Sequence, residues 1–292
     1  MDLPVGSVAA VIPKGPFDPN AARTIPSRRA QFFANYFLQN FSLRDSIIHY
    51  IEKNPKTWEL YQKLIKSCKY FFVKNTILVV RRLSYNKNDL WFAKADGDVD
   101  KVLIDLNKIK CKFWVTEKFD VFPYVTNYNP NILSSNIPKL YKCDAMFLHL
   151  KGQTISSYDH SFFISDAEEI FFEDVTVKDE NGKLLPLEKL IEGSIKVETI
   201  YIFGPTMTSK TFNELTKLPH FANLDYLTLD GLHEDFDVED FYINQRTLFR
   251  LYFDSSVSDG YKARIKEIID EINATEEFNY RPPVIQFYEL DE

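Results

Sequence analysis

Glycine is scarce in this 292-residue chain: Gly6, Gly15, Gly97, Gly152, Gly182, Gly193, Gly204, Gly231 and Gly260 are the whole set, none closer than nine positions to the next. That spacing excludes a G-x-G-x-x-G turn, a Walker loop and a G-x-S-x-G elbow, which need neighbouring glycines to bring backbone amides against a phosphate or to tighten a strand-to-helix turn. His49, His149, His160, His220 and His233 are too scattered for H-E-x-x-H or H-x3–5-H pairs, so no recognisable zinc motif exists. Cysteine is limited to Cys68, Cys111 and Cys143, an odd number without C-x-x-C, which fits reduced thiols in a cytoplasmic or nuclear setting. No apolar run reaches the roughly 18 residues of a membrane span. The uncharged stretch 121–138 carries three prolines and four asparagines and reads as a loop. Residues 3–13 are faintly like a signal-peptide core, but Asp2 stands where a positive leader belongs.

What is present is a globular composition, 45% apolar and 26% charged, with aromatics unusually plentiful at Phe 25, Tyr 16 and Trp 3. The length allows one large domain or two modest ones. Residues 1–30 mix five prolines with small residues and show no period, so they read as a disordered or loosely attached leader. From Phe41 the pattern becomes helical. Ser42 and Asp45 form a capping-box pair ahead of Ile47, Ile48 and Ile51, and Asn54–Pro55 is a start signal for a second helix running to about Val73. In that helix Trp58, Tyr61, Ile65, Cys68 and Phe72 make one apolar stripe, with Leu60, Leu64 and Phe71 beside it. The arc is wider than one core contact requires, so the helix buries two surfaces or sits wholly inside. Lys56, Glu59, Lys63 and Lys66 mark its solvated side.

After residue 76 strands begin, with Ile77 to Val80, and the second half then repeats itself. An L-x-x-L-x-L frame with any apolar anchor recurs five times: Cys143/Met146/Leu148, Ala167/Ile170/Phe172, Val197/Ile200/Ile202, Leu224/Leu227/Leu229 and Leu248/Leu251/Phe253. The third anchors lie 24, 30, 27 and 24 residues apart by subtraction, bracketing the leucine-rich-repeat period of about 20–29. Helix-like returns fall at residues 185–191, 209–218 and 238–243, a last helix at 261–272 caps the stack, and 284–290 is a final strand. The expected fold is α/β, an irregular leucine-rich-repeat-like solenoid of parallel strands and helices, preceded by a short helical module. An ordinary α/β sheet is the competing expectation. The domains are a leader over 1–30, the helical module over 31–76 and the repeat domain over 77–292.

The segment FSLRDSIIHYIEKNPKTWELYQKLIKSCKYFFVKN, residues 41–75, resembles the F-box, and the whole chain resembles the nematode F-box-like proteins with a leucine-rich-repeat-like second half. Leu43, Asp45, Ile47, Ile48 and Ile51 match the opening of that motif, with Arg44 in place of its proline. Ser67, Cys68, Lys69, Tyr70 and Phe71 match its later valine-cysteine-basic-x-aromatic segment, with Ser67 replacing the valine. The resemblance implies a substrate-recognition subunit of an SCF-type cullin-RING ubiquitin ligase. The module would dock on the Skp-type adaptor through those residues together with Leu60 and Leu64, and the repeats would hold a protein substrate. A ligase-independent interaction scaffold is the alternative.

Charge is two-ended. Residues 43–82 hold nine basic and three acidic side chains, net +6, and residues 221–292 hold seventeen acidic and six basic ones, net −11. An acidic adaptor suits the first end. Nucleic acid does not suit a chain of net charge −7 without a nucleic-acid motif. The acidic run Glu234, Asp235, Asp237 and Asp240, with Phe236 as an apolar anchor, is the candidate docking site for a basic substrate. The same acids could equally be a solvated helix start. Catalysis is not expected: His233 beside Glu234 could be drawn as an acid/base pair, but no nucleophile accompanies it. No metal and no cofactor is expected.

Overall fold

Period-two alternation of apolar residues produces the strands, and short apolar clusters between them produce the returns. The structure, a computed structural model, describes residues 42, 44–86, 90–123, 128–208, 210–234, 236, 238, 246–278 and 280–287. The expected leader lies outside them. From Arg44 onward the described residues belong to one compact unit, Leu43–Glu292.

Among the described residues three helices come first: α1 (Asp45–Lys53), α2 (Trp58–Ser67) and α3 (Lys69–Lys74). The strands β1 (Ile77–Tyr85), β2 (Trp91–Lys94), β3 (Val102–Ile104) and β4 (Lys112–Val121) follow. Then come α4 (Ile132–Asn136), β5 (Leu140–Cys143), β6 (Phe147–Lys151), β7 (Thr154–Ser156), α5 (Ser157–Ile164), β8 (Glu169–Glu173) and β9 (Thr176–Lys178). The chain ends with α6 (Leu187–Ile191), β10 (Thr199–Phe203), α7 (Thr211–Leu215), β11 (Tyr226–Leu232), β12 (Leu248–Phe253), α8 (Asp259–Ala274) and β13 (Val284–Phe287).

The fold is mixed α/β with a mostly parallel sheet. Its order is β13-β12-β11-β10-β8-β6-β4-β1-β2-β3, with β5 also on β4. From β1 to β13 the main-path strands pair in parallel and in chain order, while β2 and β3 fold back antiparallel onto β1. The five strands expected from the repeat pattern therefore pair in parallel with their neighbours. Register lines up two buried columns. One runs Leu83, Phe119, Leu148, Ile170, Ile200, Leu227 and Phe249; the other runs Tyr85, Val121, Leu150, Phe172, Ile202, Leu229, Leu251 and Ile285. Onto them pack Phe163 and Ile164 of α5, Leu187 and Leu190 of α6, Phe212 and Leu215 of α7, and Ile265 and Ile268 of α8, forming one hydrophobic core.

This register corrects two of the five repeat frames. Leu148 faces Ile170, so the first repeat reads Ala145/Leu148/Leu150 and not Cys143/Met146/Leu148. Leu251 faces Leu229, so the last frame is displaced by two as well. A shift of two keeps every side chain on its own face, which is why alternation alone cannot detect it. With the frames corrected, a further rule emerges: Gly152, Asp174, Gly204 and Gly231 stand at equivalent positions two residues after the third anchor, and all four have positive φ, between 53° and 70°. At Gly152, Asp174 and Gly204 the strand has just ended and the left-handed residue turns the chain out of the sheet, whereas Gly231 lies within β11 at the irregularity of its pairing with β12. At Gly152 a side chain is also sterically barred, since a Cβ would come within 2.1 Å of the Tyr128 ring. Beyond this turn β7 and β9 form a second, two-stranded parallel ladder.

Other expectations shift. The segment 121–138, read as loop, contains α4, whose Leu133 is fully buried and whose N-terminus is tied down by Leu133 N–H donating to the buried Gln153 side chain at 3.0 Å. Three strands, β2 to β4, lie where no repeat was expected, because Trp91/Ala93 and Phe119/Val121 alternate without a leucine anchor. The return expected over 209–218 is a single turn, Thr211–Leu215, followed by a 3-10 turn at Pro219–Asn223. The return over 238–243 lies outside the described residues apart from Val238, which is buried.

Candidate functional site

Within the helical module α1 begins at Asp45, with Arg44 as an N-cap lacking a side-chain hydrogen bond. Ser42 therefore stands too far upstream to cap it, and the expected Ser42/Asp45 box is not formed. Asn54 finishes α1 and does not start α2: its backbone and side-chain N–H groups both donate to Tyr50 O, at 3.1 Å each. The cap of α2 is Thr57, whose Oγ1 accepts from Leu60 N–H at 3.3 Å. The single helix expected to reach Val73 breaks at Cys68, which is extended (φ −152°, ψ 124°) and caps α3 through its sulfur.

The stripe Trp58, Tyr61 and Ile65 turns inward, packing with Ile77, Val79, Trp114 and Tyr141 in a second small core. Tyr61 is its fixed point. Its hydroxyl donates to Asn75 O and accepts from Ile77 N–H at 3.2 Å, tying α2 to the start of β1. Burial pushes that hydroxyl up to about 12. Trp114 is held in turn by its indole N–H, which donates to Asp144 Oδ2 at 2.8 Å. The buried Glu52 anchors α1, accepting from Tyr70 Oη at 3.2 Å on its carboxylate and from Asn75 Nδ2 at 2.8 Å on its carbonyl.

The residues assigned to adaptor docking divide accordingly. Asp45, Ile47 and Leu60 are exposed, Leu60 at 45%; Ile51, Leu64 and Cys68 are half-buried. Ile48 and Phe71, both assigned to adaptor docking, are buried instead: the break at Cys68 rotates Phe71 inward against Tyr70, at 5.6 Å edge-on. Leu43 lies outside the described residues. Tyr50, 60% exposed on α1, is a surface aromatic that the stripe analysis passed over. Of the nine basic residues in this part of the chain, Arg81 and Arg82 are both paired with Glu117.

At the acidic end the substrate residues are differently placed from the expectation. The Glu234 carboxylate accepts the backbone N–H of Ser258, the N-cap of α8, and Phe236 is buried against Phe253 at 5.9 Å. Phe236 is thus core and not a surface anchor, and Glu234 is spent on the start of α8, a different helix from the one expected over 238–243. Asp235, Asp237 and Asp240 lie outside the described residues.

The side of the sheet opposite the two buried columns carries a feature the sequence analysis missed. Between the two buried columns runs a third: Ser84, Asp120, His149, Phe171, Tyr201, Thr228 and Arg250. Phe171 and Tyr201 stack at 4.3 Å and 4°, with His149 at 5.4 Å from Phe171 and Phe122 at 6.2 Å. Polar groups frame the stack. Lys151 pairs with Glu173 and lies over the Phe122 ring at 5.0 Å, Lys118 pairs with Asp120 at 3.5 Å, and Tyr201 Oη donates to Asp230. Burial, with the Lys118 charge beside it, pushes the His149 imidazole below its ordinary value against the opposing pull of Asp120. The readable signal is the residue between the second and third anchors, aromatic in three successive repeats once the first frame is corrected: Leu-His-Leu, Ile-Phe-Phe and Ile-Tyr-Ile.

Among the described residues no cluster of His, Cys, Asp or Glu could hold a metal, and no helix is long and apolar enough to cross a membrane. No protein-family model matches the chain, and no curated protein or solved structure matches it.

Proposed function

We propose that this chain is a substrate-recognition subunit of an SCF-type cullin-RING ubiquitin ligase, its helices docking on a Skp-type adaptor and its parallel strands, as irregular leucine-rich repeats, holding a protein substrate. The observation that carries the reading is the two-sided second helix: Trp58, Tyr61 and Ile65 fasten α2 to the chain's own core while Leu60 stays exposed on its other side. An amphipathic helix already fastened on one side, with an exposed leucine opposite, is suited to a partner groove. The substrate surface assigned here is the open face of the sheet around Phe171 and Tyr201, in place of Phe236 and Glu234, because aromatic side chains supply contact area at low entropic cost. The chain itself performs no chemistry in this scheme and requires no cofactor.

Co-expression with a Skp-type adaptor followed by size-exclusion chromatography tests it. Co-elution is expected, with loss of the complex in the Leu60→Asp, Leu64→Asp double variant, which would set two unpaired carboxylates in an apolar contact. A folded wild-type chain that never co-elutes leaves the ligase-independent scaffold. One observation favours that second reading: Ile48 and Phe71, two of the residues matched to the motif, are interior.

A further inference from the structure

Among the described residues the sheet ends at β3, a three-residue strand paired on one side only, with β2. Edge strands of soluble proteins are ordinarily guarded by charge, proline or a bulge, because their unpaired N–H and C=O groups can template another chain. This edge is apolar instead. Val102 and Leu103 are each 56% exposed, and Val99, in the turn leading to the strand, is 86% exposed.

The charges around it follow a rule. Counting outward from Leu103, Lys101 and Asp105 lie two residues to either side, Asp98 and Lys108 five, and Asp96 and Lys110 seven. In all three pairs the signs are opposite and all six side chains are exposed, Asp105 also pairing with Lys108 of its own chain at 3.0 Å, while Asp100, three residues out, has no charged counterpart. In an antiparallel strand pair with a two-fold axis at Leu103, residues equidistant from it face each other. Lys101 of each copy would then meet Asp105 of the other on the Leu103 face, Val102 would meet Ile104 on the opposite face, and the more distant pairs would keep the attraction one-signed. A register centred between Val102 and Leu103 sets Asp100 against Asp105, and one centred between Leu103 and Ile104 sets Lys101 against Leu106 and loses the Lys101–Asp105 pairs.

We propose that β3 pairs antiparallel with β3 of a second copy of this chain, about a two-fold axis through Leu103, joining the two sheets edge to edge. The edge is self-complementary in charge and apolar side chains, as an isologous interface requires. A short strand pair buries less than the ~1,200 Å² at which stable interfaces begin, so the dimer is weak and its formation depends on concentration.

Sedimentation equilibrium of the full chain tests this. The mass should rise from 34.2 kDa toward twice that value as concentration increases. Lys101→Asp alone and Asp105→Lys alone each place like charges opposite one another and should weaken dimerisation roughly tenfold, while the double exchange restores it. Leu103→Cys supplies an independent measurement, because facing Cα atoms about 4.5–5.5 Å apart lie within disulfide reach. Oxidation should give a covalent dimer that the wild type does not form. A wild type monomeric at every concentration would mean that the charges only guard the edge. A dimer indifferent to the single exchanges, a double exchange without recovery, or a Leu103→Cys chain that fails to cross-link would each overturn the assignment.

Discussion

His160 sits on α5 beneath the sheet, its ring edge-on to Phe172 at 6.0 Å and its Nε2 without a hydrogen-bond partner among the described residues. Burial pushes its pKa down to about 4, from an ordinary 6.5. The folded state therefore refuses a proton that the unfolded chain accepts, so its contribution is intact above about pH 6.5 and falls away as pH drops toward 4. The window is worth roughly 3 kcal/mol. Urea midpoints of wild type should fall between about pH 7 and pH 4.5 by more than those of His160→Phe; parallel losses in the two proteins would rule out this histidine as the cause. Thiols separate in the same way. Cys143 is fully buried and its thiol is pushed up to about 12, while Cys68 and Cys111 are half-buried. A thiolate-seeking reagent should leave Cys143 unmodified in the native protein and reach it only in denaturant, as peptide mapping would reveal.

At the scale of elements, one hydroxyl and one left-handed turn carry unusual weight. Tyr61→Phe keeps the ring against Trp114, at 6.4 Å, but leaves Ile77 N–H and Asn75 C=O without that partner. Ile77 N–H still donates to Asn75 O at 2.9 Å, so a cost of about 0.5–1.5 kcal/mol in chemical denaturation is expected, and no change would mean that solvent takes the hydroxyl's place. Glycine substitutions should diverge in sign. Gly152→Ala meets both a positive φ and the Tyr128 ring, and should destabilise by more than ~1 kcal/mol; Gly260→Ala, in open space within α8, should stabilise by up to ~1 kcal/mol. Thermal melts of the two variants check the pair. The same elements show what the sequence could and could not tell. Strand existence and parallel order were legible because apolar alternation is a direct record of one buried face. Repeat phase was not, since a two-residue slip preserves the face, and the wrong phase at Leu148 concealed that Gly152 shares its place with Gly204 and Gly231. Helix ends were legible only as far as caps are local: Asn54–Pro55 looked like a start because both residues suit one, while hydrogen bonds to Tyr50 O enlisted Asn54 for the preceding helix. For the same reason the inward stripe of α2 was readable from spacing, but the break at Cys68 that turns Phe71 inward was not.

Across the whole molecule, strands that follow chain order touch mainly the strands before and after them, so stability is passed along the sheet from neighbour to neighbour. Phe253 closes the far end. Its ring packs with Phe236 at 5.9 Å, Tyr261 of α8 at 5.7 Å and Phe287 of β13 at 5.8 Å, joining three segments. Deleting it leaves a cavity whose cost, by analogy with other buried aromatics, is about 3–5 kcal/mol. In a sheet closed on itself that loss would weaken every strand alike. Here β12 lies one strand from the edge, while Ile170 and Ile200 sit in the middle of the buried columns with paired strands on both sides. The loss in Phe253→Ala should therefore be local: native-state hydrogen exchange should accelerate in α8, β12 and β13 and leave β6 and β8 at wild-type protection. Acceleration spread evenly from β6 to β13 would show that the sheet unfolds as one cooperative unit, and that chain-order pairing does not divide it.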